Sequence, residues 1–246
     1  RTIQITGCWV RCNYSALQPH KKYAKSVRRI IDLRESKVKK KERAEEIVTR
    51  LRALYPDSKC SLNYKSAHEL LVATILSAQC TDHRVNIVTK DLFQKYRTPT
   101  DFAYCSVMDL AKDIHSCGYH NQKAKNIQGS SLKIVEEHDE IVPGNLNELV
   151  ALPGVGRKTA NCVLGEIYNV PSMVIDTHMI RIMGLLNFTK TKDAKQIELE
   201  MMEIFDEKDW VNLTHLVIDH GRAVCIARRP QCGDCVLVDL CPSSSV

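Results

Sequence analysis

Leu152-Pro153-Gly154-Val155-Gly156-Arg157-Lys158 opens the stretch on which the reading of this chain turns, LPGVGRKTANCVLGEIYNVPSMVIDTH, residues 152 to 178. Gly154 and Gly156, behind Pro153, predict a tight hairpin, because glycine accepts positive φ and lets the main chain approach a neighbouring group closely. A helix is expected to start at Arg157, and the outward amides at its positive end form a ready anion site. Beside that end the protonated form of Lys158 is disfavoured, which favours the free amine as a nucleophile. Asp176, eighteen residues further on in Ile175-Asp176-Thr177-His178, is expected to cap another helix, an arrangement that favours its carboxylate.

Outward from that stretch, the composition is that of an ordinary globular protein, with 44% hydrophobic and 26% charged residues among 246. No run of eighteen apolar residues occurs, so no membrane span is expected. The net charge of +6 is uneven. Residues 1–50 hold 14 Lys/Arg against 5 Asp/Glu, a net of +9, and the rest hold 21 against 24, a net of −3. Affinity of the core for a polyanion must then come from a patterned face and not from bulk charge. Eleven cysteines in a chain with no secretory signal, four of them clustered near the end, point to metal in a reducing compartment and not to disulfides.

Apolar periodicity predicts an all-α fold. Helices are expected over Val38–Leu54, from a Ser66-Ala67-His68-Glu69 capping box to about Ala78, and after a Thr81 or Asp82 cap with Val85, Val88, Leu92 and Phe93 facing the core. Others are expected over Ser106–Ser116 with Gly118 as the stop, from Asn121 to about Glu137, over Asn145–Ala151, over Lys192–Phe205, and over Trp210–His220 closed by Gly221. Residues 1–36 form a basic extension, expected to be a solvated or disordered arm, with a DNA-tracking arm and a targeting peptide as the alternatives.

Cys225, Cys232, Cys235 and Cys241 stand as C-x6-C-x2-C-x5-C behind a predicted helix. Four soft ligands in one short loop imply a structural zinc or an iron-sulfur cluster, and the spacing does not choose between them. Between the first two, Arg228 and Arg229 lie on a loop pinned at both ends, which suits contact with phosphate.

From about Lys39 to Pro242 the chain resembles the helix-hairpin-helix base-excision DNA glycosylases, and within them the endonuclease III family, on the PGVG-RK hairpin, the Asp176 segment and the cysteine loop. The resemblance implies a two-domain fold: a six-helix domain over residues 61–170 holding the hairpin (about 145–169), and a cluster domain from 37–60 and 171–246, with the DNA cleft between them. It assigns a [4Fe-4S] cluster to Cys225, Cys232, Cys235 and Cys241. It makes Lys158 the nucleophile and Asp176 the group that stabilises the developing positive charge. Gln79 of Ser77-Ala78-Gln79 matches the residue that fills the space left by a flipped nucleotide. Tyr119 stands in Gly118-Tyr119-His120-Asn121 where the family commonly has leucine, so an aromatic wedge is expected there. Gly154, Gly156, Arg157, His178, Arg228 and Arg229 are the expected DNA contacts, with Arg181 a further phosphate contact.

The implied activity is that of a bifunctional DNA glycosylase/AP lyase, excising oxidised pyrimidines from duplex DNA through a lysine Schiff base and cleaving 3′ to the abasic site. The implied setting is a monomer in a bacterial-type cytoplasm, associated with the nucleoid, on double-stranded DNA with damaged pyrimidines or abasic sites and with no membrane partner. A monofunctional adenine-type mismatch glycosylase shares the cluster and the aspartate but lacks a lysine at position 158. Such enzymes often carry a further C-terminal domain, and with five residues after Cys241 none is expected here. A non-enzymatic helix-hairpin-helix DNA-binding module needs neither Lys158 with Asp176 nor a cluster.

Overall fold

The structure, a computed structural model, describes residues 35–246 together with the backbone of two short strands, β1 (Thr2–Ile5) and β2 (Cys8–Arg11), paired antiparallel with Thr2 opposite Arg11. Apart from those strands and residues 35–36, the expectations for residues 1–36 lie outside the described residues. From Lys37 onwards the described chain is helical. It divides into two compact units, Cys60–Val174, and Arg1–Lys59 with Ile175–Val246.

The Cys60–Val174 unit is built on α2 (Ala67–Ser77), whose Leu70, Leu71, Val72, Ala73, Ile75 and Leu76 are all buried. A helix apolar on every side has to be enclosed. Around it pack α3 (Asp82–Lys95), α6 (His120–Glu137) and α8 (Arg157–Tyr168). The short α4 (Pro99–Ala103) and α5 (Val107–Asp113) lie on α6, and α7 (Leu146–Val150) lies on α8.

Local chemistry sets the helix ends. Ser66 accepts the Glu69 amide as the N-cap of α2, but the Glu69 carboxylate reaches back to the Lys65 amide and not to that of Ser66, so the expected box closes one residue early. Thr81 caps α3. The reciprocal capping box is at Thr98 and Asp101, opening the five-residue α4, which is too short for apolar periodicity to reveal. Gly118, at φ +70°, ends the 3-10 turn His115–Cys117.

The second unit packs α1 (Lys37–Leu54) against α10 (Ala194–Ile204) and α11 (Trp210–Ala223), and α11 against α9 (Thr177–Leu185). Two arginines of α1 fasten it to the end of the chain. Arg43 is buried, pairs with Glu35, and donates to the Leu186 and Leu240 carbonyls. Arg50 donates to the Val236 carbonyl and to both Asp239 oxygens.

Gly221 does not close α11. It lies inside the helix, buried, and the helix runs on to Ala223. A Cβ at Gly221 would stand 2.3 Å from Nδ1 of His178, so this glycine serves the close packing of α11 on α9 and not a cap.

Candidate active site and cysteine centre

Asn145 caps α7, and the chain then turns through Leu152–Gly156 with the Leu152 amide on the Leu149 carbonyl and the Val155 amide on the Leu152 carbonyl, each at 3.1 Å. Leu152 and Val155 are buried and anchor the turn, while Pro153, Gly154 and Gly156 are exposed. Gly154 sits at φ +73°, where a Cβ would come within 2.6 Å of Asn126 on α6, so both torsion and space require glycine. Gly156 holds the N-cap of α8 and offers no side-chain oxygen to its first-turn amides. Arg157 is half-buried at the first helical position, and Lys158 at the second is exposed.

One turn further along α8, the side chain of buried Asn161 donates to the Met173 carbonyl at 2.9 Å, while its backbone carbonyl accepts the Ser172 hydroxyl at 2.7 Å. That side chain fixes the extended segment leading towards Ile175. Sequence reasoning passed over it; the available signal was an amide on the buried side of an otherwise apolar helix.

Asp176 is the N-cap of α9, its Oδ1 accepting the Met179 amide at 2.8 Å. His178 packs on Gly221, with Nδ1 3.5 Å from Arg181 Nη2. Arg181 Nη1 donates to Cys225 Sγ at 3.4 Å. The guanidinium expected on phosphate therefore stands at the cysteine loop, and α9 carries Asp176 at one end and a cysteine contact one turn on. Gln79 and Tyr119 are exposed, each in the left-handed region at φ +55° and +48°. Residues other than glycine hold that conformation only where their surroundings fix it.

Cys225, Cys232, Cys235 and Cys241 line one cavity of about 70 Å³ with Ile182, Leu186, Val224 and Leu237. Burial, opposed by the Leu237 amide, which donates to it at 3.4 Å, and reinforced by the other three sulfurs, pushes the Cys235 thiol up to about 12. Burial and neighbouring sulfurs raise Cys241 as well. Four thiolates gathered in so apolar a space need a cationic centre, so the donor set fits a thiolate-bound cluster. Among the described residues no three His, Cys, Asp or Glu side chains converge as they would on a single ion. His220 adds Nε2 at 3.5 Å from Cys235 Sγ, and burial, with Arg181 nearby, lowers its pKa to about 4, so the imidazole is neutral. The loop that links Cys225 to Cys232 is closed by the Gln231 amide on the Val224 carbonyl, and it carries Arg228 and Arg229 exposed.

A helical protein with a glycine hairpin feeding a lysine, and with a four-cysteine loop on its last helix, falls in the class of iron-sulfur helix-hairpin-helix proteins. Residues 72–207 match the HhH-GPD superfamily base excision DNA repair proteins, and residues 225–241 match the iron-sulfur binding domain of endonuclease III. Endonuclease III of Synechocystis sp. is 50% identical over 206 residues, 83% of this chain and 94% of that protein. Endonuclease III of Escherichia coli is 40% identical over 196 residues, 80% and 93% of the two. A structure of a non-covalent endonuclease III–DNA complex and one of a trapped endonuclease III–DNA covalent intermediate each superpose with a TM-score of 0.79 at 39% identity, covering 83% of this chain and 96% of theirs. A thermostable thymine-DNA glycosylase, TM-score 0.73 at 19% identity, shares the fold.

The chain belongs to the endonuclease III family. It is an enzyme of base excision repair, a DNA glycosylase with AP lyase activity, and it carries a [4Fe-4S] cluster. Among the described residues no helix is long and apolar enough to cross a membrane.

Proposed function

We propose that Lys158 is the nucleophile and Asp176 its carboxylate partner in excising oxidised pyrimidines from double-stranded DNA. The observation that carries this is local: an exposed amine at the second position of α8, directly behind a glycine turn whose torsion and packing admit no side chain. Nζ attacks C1′ of the damaged nucleotide as the glycosidic bond breaks, and the base leaves with its electron pair. Loss of the amine proton and opening of the sugar give a Schiff base. Abstraction of a C2′ proton then expels the 3′ phosphate by β-elimination, and water releases Lys158.

The Asp176 carboxylate stabilises positive charge at C1′ and assists the proton transfers. Its bond to the Met179 amide holds it oriented at the start of α9. Gln79 and Tyr119 fill the vacated stack, and Gly154, Gly156, Arg157, His178, Arg228 and Arg229 supply backbone contacts. The residues from about 61 to 170 act as the hairpin domain, and 37–60 with 171–246 as the cluster domain. When bound, the [4Fe-4S] group supplies the cationic charge that four thiolates require, so the loop bearing Arg228 and Arg229 is fixed. We place the protein as a monomer in a bacterial-type cytoplasm, associated with the nucleoid.

Borohydride trapping on a duplex with one thymine glycol, with Lys158→Ala beside it, tests the assignment. A covalent adduct is expected from the parent and none from the variant. An adduct formed equally by the variant would move the nucleophile elsewhere. Free base released without any adduct would mean a monofunctional glycosylase.

A further inference from the structure

Lys123, in the first turn of α6, is only 5% exposed, yet its ammonium is used twice. Nζ donates to the Leu76 carbonyl at 2.8 Å and to the Cys117 carbonyl at 2.9 Å. Leu76 is the penultimate residue of α2, so its carbonyl is among those a helix end leaves without an intrahelical partner. The neighbouring ones are satisfied within the turn: Ile75 by the Ala78 amide, Ser77 by the Cys80 amide, and Thr74 by the Ser77 hydroxyl. Leu76 is left for the lysine, and the negative end of α2 favours a cation there. Cys117 is the last residue of the 3-10 turn before Gly118 and Tyr119.

One ammonium therefore binds the turn that ends in Gln79 and the turn that ends in Tyr119. The two turns also meet at Cys80 and Cys117, whose thiols are neighbours. Gln79 and Tyr119 each follow a bonded carbonyl by two or three residues, each is exposed, and each holds positive φ without being glycine. Both need a constraint from beneath, and Lys123 is the side chain that supplies one to both. Burial lowers the lysine pKa, and the two thiols oppose that shift.

We propose that Lys123 is a positioning residue for nucleotide extrusion, holding the Gln79 and Tyr119 turns at a fixed separation so that the two side chains enter the duplex together. The inference rests on the reading of those two residues as the ones that fill the vacated space. No bond is made or broken by Lys123, and it touches no reacting atom. Its loss should therefore affect substrates whose nucleotide has to be extruded and spare those where nothing is extruded.

The experiment compares abasic-site cleavage on a duplex with cleavage on a single-stranded oligonucleotide carrying the same site, using cluster-loaded protein throughout. Lys123→Met should lose about 100-fold in kcat on the duplex, the scale of a misplacement near 1 Å. Single-strand cleavage, visible cluster absorption and affinity for undamaged duplex should hold. Lys123→Arg, which still donates to two carbonyls, should recover most of the duplex rate. Should the methionine variant fail to fold, Lys123→Gln, which can donate to one carbonyl at a time, gives the same duplex-to-single-strand ratio at an intermediate value.

A loss shared equally by both substrates would mark Lys123 as a general structural residue and overturn the inference, as would no loss on either. Gln79→Ala and Tyr119→Ala are run in parallel. If both keep the parental ratio, the reading of the two wedge residues falls and the inference with it. If both lose it while Lys123→Met keeps it, the role of Lys123 alone is refuted.

Discussion

Replacing Gly154 with alanine perturbs the hairpin without touching a charge. Two costs can be read from the structure. The backbone at φ +73° places an L residue in the left-handed region, about 1 kcal/mol or somewhat more. The new Cβ would meet Cβ and Nδ2 of Asn126 at 2.6 Å and its Cγ at 2.7 Å, an overpacking that costs about 1 to 3 kcal/mol. Restricting the unfolded chain returns roughly 0.5 kcal/mol, so the net loss should be about 2 to 4 kcal/mol.

Urea unfolding followed by far-UV circular dichroism measures it. With a slope of about 2 kcal/mol per molar, the midpoint should fall by about 1 to 2 M. Asn126→Gly removes all three contacting atoms at a helix cost of about 1 kcal/mol, so a double-mutant cycle should return a favourable coupling of about 1 to 2 kcal/mol, with the torsional part remaining. A midpoint for Gly154→Ala within about 0.2 M of the parent, well inside the error of that linear extrapolation, would refute the reasoning. A large loss with no coupling to Asn126 would refute the steric half of it.

Asp176 separates capping from chemistry: Asp176→Ala should cost about 1 kcal/mol in urea unfolding, while Asp176→Asn, a comparable cap, should keep the stability and still lose lyase activity on abasic duplex. Equal activity in Asp176→Asn would remove the carboxylate from the mechanism. Arg228→Ala and Arg229→Ala should weaken binding to damaged and undamaged duplex alike and flatten the slope of log K against log salt by about 0.9 for each phosphate that is no longer neutralised, measured by fluorescence anisotropy. A weakening confined to damaged DNA would show that they read the lesion. His68, buried and bonded to the Ser131 hydroxyl, has its pKa lowered by burial to about 4. Above pH 6.5 both folded and unfolded states hold it neutral. Between 6.5 and 4 only the unfolded state takes up the proton, so this group should remove stability as pH falls through that window, by roughly 3 kcal/mol at most. Lys158→Ala and His68→Gln, compared by urea midpoint at pH 5 and pH 7.5, should differ: the pH dependence shrinks only in the second.

Much of the fold was legible because local chemistry dictates it. Ser66, Thr81, Asn145 and Asp176 each cap the helix that follows through a side-chain oxygen that accepts the amide three residues on, a relation contained within a few consecutive positions. The four cysteines were legible for a similar reason, since thiolate ligands are few and their spacing is short. Where sequence reasoning failed, the deciding partner lay far along the chain. Gly221 reads as a stop, yet His178, forty-three residues earlier, occupies the space of its missing side chain. Arg181 reads as a phosphate contact, and only the fold shows that its guanidinium also reaches Cys225, forty-four residues on.

The sequence by itself determined the helices, their caps, the glycine turn before Lys158 and the thiolate set, because torsional preference, capping and ligand chemistry act over a few residues. Only the tertiary structure decided that Asn161 ties α8 to the strand of chain approaching Ile175, that α1 holds the cysteine loop through Arg43 and Arg50, and that Lys123 joins two turns forty residues apart. Those contacts depend on which buried carbonyls are left without partners once the helices pack, and no local pattern carries that information.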